Sequence, residues 1–160
     1  SRDSPQQADC NVMHRILVVV DGTAEAALAL ERALDVAIAV PGSEILLLGI
    51  EPELSSWQVP RLARSRHDRQ TREILSRADT WAATRGVPTR RRIETGDKAD
   101  VVTRVAEQEH CDHIFVPEAG STRTGRALVA IAAACTGRSA TRIITQSRVP
   151  VTVVAAKGPR

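Results

Sequence analysis

Ile16-Leu17-Val18-Val19-Val20, broken at once by Asp21-Gly22-Thr23, is the stretch that decides the fold. Five apolar residues in a row leave no polar face for water, so the run reads as a strand covered on both sides. Residues 24–40 follow with Leu30, Leu34, Ala37 and Ile38 at helical spacing, and Pro41-Gly42 ends that segment. A second apolar run, Ile45-Leu-Leu-Leu-Gly-Ile50, repeats the strand signal and leads into a loop over 51–60.

The same alternation continues downstream. Residues 61–85 read as a long helix with Thr71, Ile74, Leu75, Ala78, Trp81 and Ala82 on one face, closed by Gly86. Residues 88–94 form a more polar strand. Asp97 is placed to cap the next helix, with Asp100 in the capping-box position and Val102, Val105 and Ala106 facing inward. His113-Ile-Phe-Val116 is a further strand and breaks at Pro117 into a long Gly/Ser/Thr-containing stretch reaching Ser139. A short helix over 140–147, with Ile143 and Ile144 inward, and the strand Val149-Pro-Val-Thr-Val-Val154 complete the pattern. Alternating strands and helices with apolar strands imply an α/β fold. Its core is a doubly wound, five-stranded parallel sheet with helices on both faces, Rossmann-like in plan. Ligands on such sheets sit beyond the strand carboxyl ends, where Asp21, Ile50 and the Gly120 loop all fall.

The totals narrow the possibilities. At 160 residues the chain suits one domain, expected over 14–156 after a disordered lead-in at 1–13, with a tail at 157–160. Aromatics are only 2% of a chain that is 42% hydrophobic, so the core must be aliphatic. Twenty-two Lys and Arg against 19 Asp and Glu give a net charge of +3, too small to argue for nucleic acid. The arginines at 61, 64, 66, 69, 72 and 90–92 read as a solvated helix face and a basic strand, without the aromatics a single strand would stack on. Cys10, Cys111 and Cys135 contain no CxxC pair, which favours reduced thiols and a cytoplasmic setting. The longest uncharged run, residues 127–137, falls short of the roughly 18 a spanning helix needs, so no membrane is expected.

In order and spacing, Ile16-Leu-Val-Val-Val-Asp-Gly-Thr23, Thr95-Gly-Asp-Lys-Ala-Asp100, Cys111-Asp-His-Ile-Phe-Val116 and Arg148-Val-Pro-Val-Thr-Val-Val154 resemble the universal stress protein family over residues 15–154. The resemblance implies a five-stranded α/β domain acting in stress tolerance, usually a homodimer paired through its last strand, here Val149–Val154. Many members bind ATP, with which Mg²⁺ would come. An acid ending the first strand contacts the nucleotide, and a residue ending the second touches adenine through its backbone; the matching positions are Asp21, beside Gly22, and Ile50. Phosphates and ribose are held by a G-x2-G-x9-G-[ST] pattern after the fourth strand. Counting back from Pro150 puts the last glycine at Gly137, with Arg138 in the hydroxyl position and Ser139 one later. The two earlier positions fall on Thr124 and Ala127, and the glycines actually present are Gly120 and Gly125. The loop is about six residues longer than the resemblance leads one to expect.

Two readings of that loop stay open. Gly120, Ser121, Gly125, Gly137 and Ser139 form a phosphate nest, with Arg123 or Arg138 adding charge, or the glycines only let a long loop turn. Asp21 binds a ligand hydroxyl or caps the first helix. Gly120-Ser-Thr-Arg-Thr-Gly-Arg-Ala127 misses the P-loop, with Arg126 in the lysine's place and Ala127 in that of the magnesium-binding hydroxyl. His110-Cys-Asp-His113 is expected to pack rather than bind metal, because adjacent residues entering a strand point to opposite faces. No nucleophile–base motif points to catalysis; weak ATP hydrolysis is the most expected. The functional expectation is a binding or signalling module with adenine nucleotide as ligand. The alternatives are the same fold working through protein contacts alone, or an ATP-dependent adenylating enzyme, whose Gly-rich turn after the first strand is missing at Asp21-Gly-Thr23.

Overall fold

The computed structural model of the protein describes residues 14–53, 61–118 and 140–155. Five strands, β1 (Arg15–Val19), β2 (Glu44–Glu51), β3 (Thr89–Thr95), β4 (His113–Pro117) and β5 (Val151–Val154), form one sheet in the order β3-β2-β1-β4-β5. Every pairing is parallel. Helices α1 (Ala24–Ala39), α2 (Arg61–Thr84) and α3 (Lys98–Gln108) connect the first four strands, and residues 140–146 form a further helix before β5.

The continuous apolar runs are explained by two cores, one on each face of the sheet. Because successive side chains on a strand point to opposite faces, Ile16, Val18, Ile45, Leu47 and Phe115 pack under α1 and α2. Leu17, Val19, Leu46, Leu48, Ile114 and Val116 pack under α3 and Ile143. Each such aliphatic side chain contributes about 1.5–3 kcal/mol when fully buried. Leu30, Leu34 and Ala37 on α1, and Leu75, Ala78 and Ala82 on α2, are buried as their spacing predicts. At Gly49 helix α2 packs tightly on the sheet. A Cβ built there would lie 2.7 Å from Thr71 Cγ2 and 3.2 Å from Leu75 Cδ1.

The edges of the sheet differ from its centre. On β3, Arg92 pairs with Glu94 at 2.6 Å and with Glu109 at 2.9 Å, while Arg90 reaches Glu109 at 3.1 Å and Arg104 reaches Glu94 at 3.1 Å. The basic strand read from the sequence is thus a lattice of ion pairs against α3. On the other side of β4, His113 stacks on Phe115 with ring centroids 4.6 Å apart, and its Nε2 lies 2.7 Å from Thr152 Oγ1 of β5. Burial, helped by the nearby His14, pushes the His113 pKa down.

Three local expectations change. Ile144 is 53% exposed although Ile143 is fully buried; neighbouring helical residues stand about 100° apart, and this short helix offers one face to the core. The last strand begins at Val151 rather than Val149, because Pro150 has no N–H to give a ladder and contributes only its carbonyl, to Ile114 N at 3.0 Å. The N-cap of α1 is Thr23, not Asp21: its hydroxyl accepts from Ala26 N at 3.1 Å. Asp97 does cap α3, accepting from Asp100 N at 3.2 Å, and the Asp100 carboxylate faces Arg142 at 3.0 Å.

His110, Cys111, Asp112 and His113 are dispersed. His110 is exposed with φ +52°, Cys111 is buried with its thiol pushed up to about 12 by desolvation, and Asp112 accepts from Arg15 N at 2.8 Å. The lead-in at 1–13 and the tail at 157–160 lie outside the described residues.

Filling the gap between β2 and α2 is expected to push the helix off the sheet. Gly49→Val should lower stability by about 1–3 kcal/mol, read as a fall of several degrees in thermal midpoint; an unchanged midpoint would contradict the tight contact with Thr71 and Leu75.

Candidate functional site

All strands being parallel, their carboxyl ends share one rim, and the strand order reverses between β1 and β4. That rim holds a cleft of about 700 Å³ lined by the ends of β1 and β2, by α2 and by the turn entering α3. Its apolar wall is Val19, Val20, Ile50 and Ile74; Asp21, Thr71 and Lys98 add polar groups. A second cleft, of about 500 Å³, lies between α1 and α2 on the other side of Asp21 and shares Val20, Asp21, Gln70 and Ile74 with the first.

The turn after β1 is built by its own hydrogen bonds. Val20 N donates to Leu48 O at 2.9 Å, closing the ladder with β2. Asp21 Oδ1 then accepts from Thr23 N at 2.9 Å and from Thr23 Oγ1 at 2.5 Å. Thr23 in turn caps α1, so Asp21 holds the cap rather than being it. Gly22 carries φ +80°, and a Cβ there would meet Ile74 Cδ1 at 2.8 Å. The left-handed backbone is what calls for glycine at this point, since Ile74 Cδ1 is a side-chain end that can turn aside.

Charge gathers on the same rim. Glu51 ends β2, and its backbone carbonyl accepts from Gly96 N at 3.0 Å, tying the β2 and β3 turns together. Burial pushes the Glu51 carboxyl up; a hydrogen bond with the Asp68 carboxyl and that group's charge act the same way, against smaller opposing effects of His67 and Thr71. Lys98, the first residue of α3, is half-buried. Burial pushes its ammonium pKa down, and the nearby Asp21 carboxylate opposes the shift.

Of the residues expected at a site, the structure brings Asp21 and Ile50 into one cleft, with Gly22 in the turn beside them. Gly120, Ser121, Gly125, Gly137, Arg138 and Ser139 lie outside the described residues, as does Arg123. The β4 end from which they depart is fixed next to β5, with Glu118 N donating to Val154 O at 2.7 Å. Sequence reading missed Lys98 and the part played by Thr23. A cation in the first turn of a helix stands at the positive end of its dipole, and that unfavourable placement was the available signal for Lys98. No group of three or more metal-ligating side chains occurs among the described residues, and none of their helices is long and apolar enough to cross a membrane.

A model of the universal stress protein family matches residues 13–155. Solved structures share the fold. A protein of that family from Burkholderia pseudomallei is 21% identical, with 90% of this chain and 97% of that chain covered at a TM-score of 0.70. A universal stress protein in complex with cAMP is 19% identical, with 88% and 96% covered at a TM-score of 0.65. A family member from Arabidopsis thaliana with AMP bound is 17% identical, with 91% and 93% covered at a TM-score of 0.62. No curated protein matches the sequence.

The cap at the head of α1 is open to a direct check. Thr23→Ala removes the acceptor for Ala26 N and one of the two donors to Asp21, and should cost about 1 kcal/mol of stability in a urea melt. A variant as stable as the parent would show that the Asp21–Thr23 turn does not hold the helix start.

Proposed function

The chain belongs to the universal stress protein family, and on that footing we propose that it is a stress-type binding or signalling module whose ligand is an adenine nucleotide. The observation that carries this reading is the meeting of Asp21 and Ile50, from the ends of adjacent strands, in one cleft of about 700 Å³. That volume suits a nucleoside-sized molecule, and an apolar wall with a few polar groups is the usual make-up of such a site. Ile50 and Ile74 offer surface for a flat base, and the Asp21 carboxylate can accept from a ribose hydroxyl. The cAMP and AMP complexes of proteins with this fold support the choice of ligand class. In this reading the phosphates extend toward the end of β4; ATP with Mg²⁺ is one candidate, AMP and cAMP are others. The protein binds and signals rather than catalyses, with weak ATP hydrolysis as the upper limit of its chemistry.

The protein is further proposed to work as a cytoplasmic homodimer joined along β5. The supporting observation is that β5 ends the sheet order, so its outer edge carries strand hydrogen-bonding groups that a second copy can pair. A second reading, protein contacts without nucleotide, is favoured by the displaced glycines: Thr124 and Ala127 stand where the family pattern has two of its three.

Calorimetric titration of ATP with Mg²⁺, AMP and cAMP separates the two readings. Binding of at least one of them, weakened about tenfold or more by Asp21→Ala, is expected; no heat from any of the three at millimolar concentration would remove the nucleotide. For the dimer, Val151→Lys puts a charge into the proposed interface and should give monomers by light scattering, with circular dichroism showing a retained fold. A parent protein that is already monomeric, or a variant of unchanged mass, would contradict pairing along β5.

A further inference from the structure

Lys98 is a part of the cleft that the proposed function leaves unused. It follows the N-cap Asp97 directly, and its side chain lines the same cleft as Asp21, Ile50, Thr71 and Ile74. The placement is unfavourable for a cation in two ways. The first turn of α3 presents the positive end of a helix dipole, and the half-buried position strips water from the ammonium. Burial accordingly lowers its pKa, while Asp21 helps to keep it charged. An ammonium has three donors and no acceptor. The cleft joins the apolar Val19, Val20, Ile50 and Ile74 to the carboxylates of Asp21, Glu53 and Asp97, and an acceptor delivered by a ligand into its apolar part is well matched to the ammonium. A Met or Leu would fill the same space without the desolvation cost, so the amine and not the stem is what this position adds.

Resting on the nucleotide reading of the cleft, we propose that Lys98 is a ligand-contact residue, its ammonium donating to a ring nitrogen or ribose oxygen of the nucleoside between Ile50 and Asp21. Asp21 accepts and Lys98 donates, so together they read a hydroxyl-and-acceptor pattern that neither could read alone. This contact belongs to the nucleoside, not to the phosphates, and so it should be felt by AMP as strongly as by ATP.

Isothermal titration of AMP into the parent protein, Lys98→Met and Lys98→Arg tests the assignment, with thermal midpoints recorded in parallel. Lys98→Met keeps the apolar stem, and it should keep or raise the midpoint while weakening AMP binding about tenfold or more; Lys98→Arg should recover part of that loss. If Lys98→Met does not fold, Lys98→Leu, which also has no donor, serves in its place with the same expectation for affinity. Parent protein that binds AMP while Lys98→Met binds equally well overturns this inference and leaves the nucleotide reading standing. Tighter binding by Lys98→Met also overturns it, by showing that the lysine fills the cleft and screens Asp21. Parent protein that binds no nucleotide overturns both.

Discussion

Burial of the central strands on both faces is the constraint on which the rest depends. β1 and β2 have no side from which water can reach Ile16 to Val19 or Ile45 to Leu48, so helices must cover both surfaces. Strands joined through covering helices run parallel. Parallel strands put all their carboxyl ends on one rim, and only then can the turn at Asp21, the end of β2 at Ile50 and the entry to α3 at Lys98 line one cleft. The site is therefore a consequence of core composition: polar alternation along β1 would have suited a different sheet, without a shared rim.

Stability and recognition are handled by different parts of that sheet. The aliphatic centre carries the hydrophobic burial. The β3 edge uses arginines and glutamates, Arg90, Arg92, Glu94 and Glu109, to present a charged surface; such pairs at a surface are worth about 0–1 kcal/mol each, but these are partly buried and linked together, and they join α3 to the strand. The rim is less settled. Burial beside Asp68 disfavours the charged form of Glu51, and burial disfavours that of the half-buried Lys98. Such groups cluster where a protein binds something more often than where it merely packs.

Much of the fold was legible because it rests on periodicity. The unbroken runs of β1 and β2 and the 3.6-residue spacing on α1 and α2 each have one simple reading, and their alternation fixes the sheet type. Gly86 and Asp97 were legible for local reasons, a glycine after a helix and an acid before one. Ile144 was not, since two adjacent isoleucines cannot tell a sequence reader which of them a short helix will bury. The exchange of roles between Asp21 and Thr23 was also hidden, because both are good caps and two residues of offset decide it. In the site, Asp21 and Ile50 could be placed from their positions at strand ends. Lys98 could not, because its meaning comes from the turn that brings it into the same cleft as Asp21, 77 residues away in the chain.

The shared rim is tested most directly by following backbone amides of labelled protein by two-dimensional NMR while AMP is added. The account predicts that Asp21–Thr23, Ile50–Glu51 and Gly96–Lys98, three turns distant in sequence, shift together and saturate at one concentration. Shifts confined to the opposite ends of the strands, around His14, Glu44 and Asp112, or shifts at one turn without the other two, would contradict it.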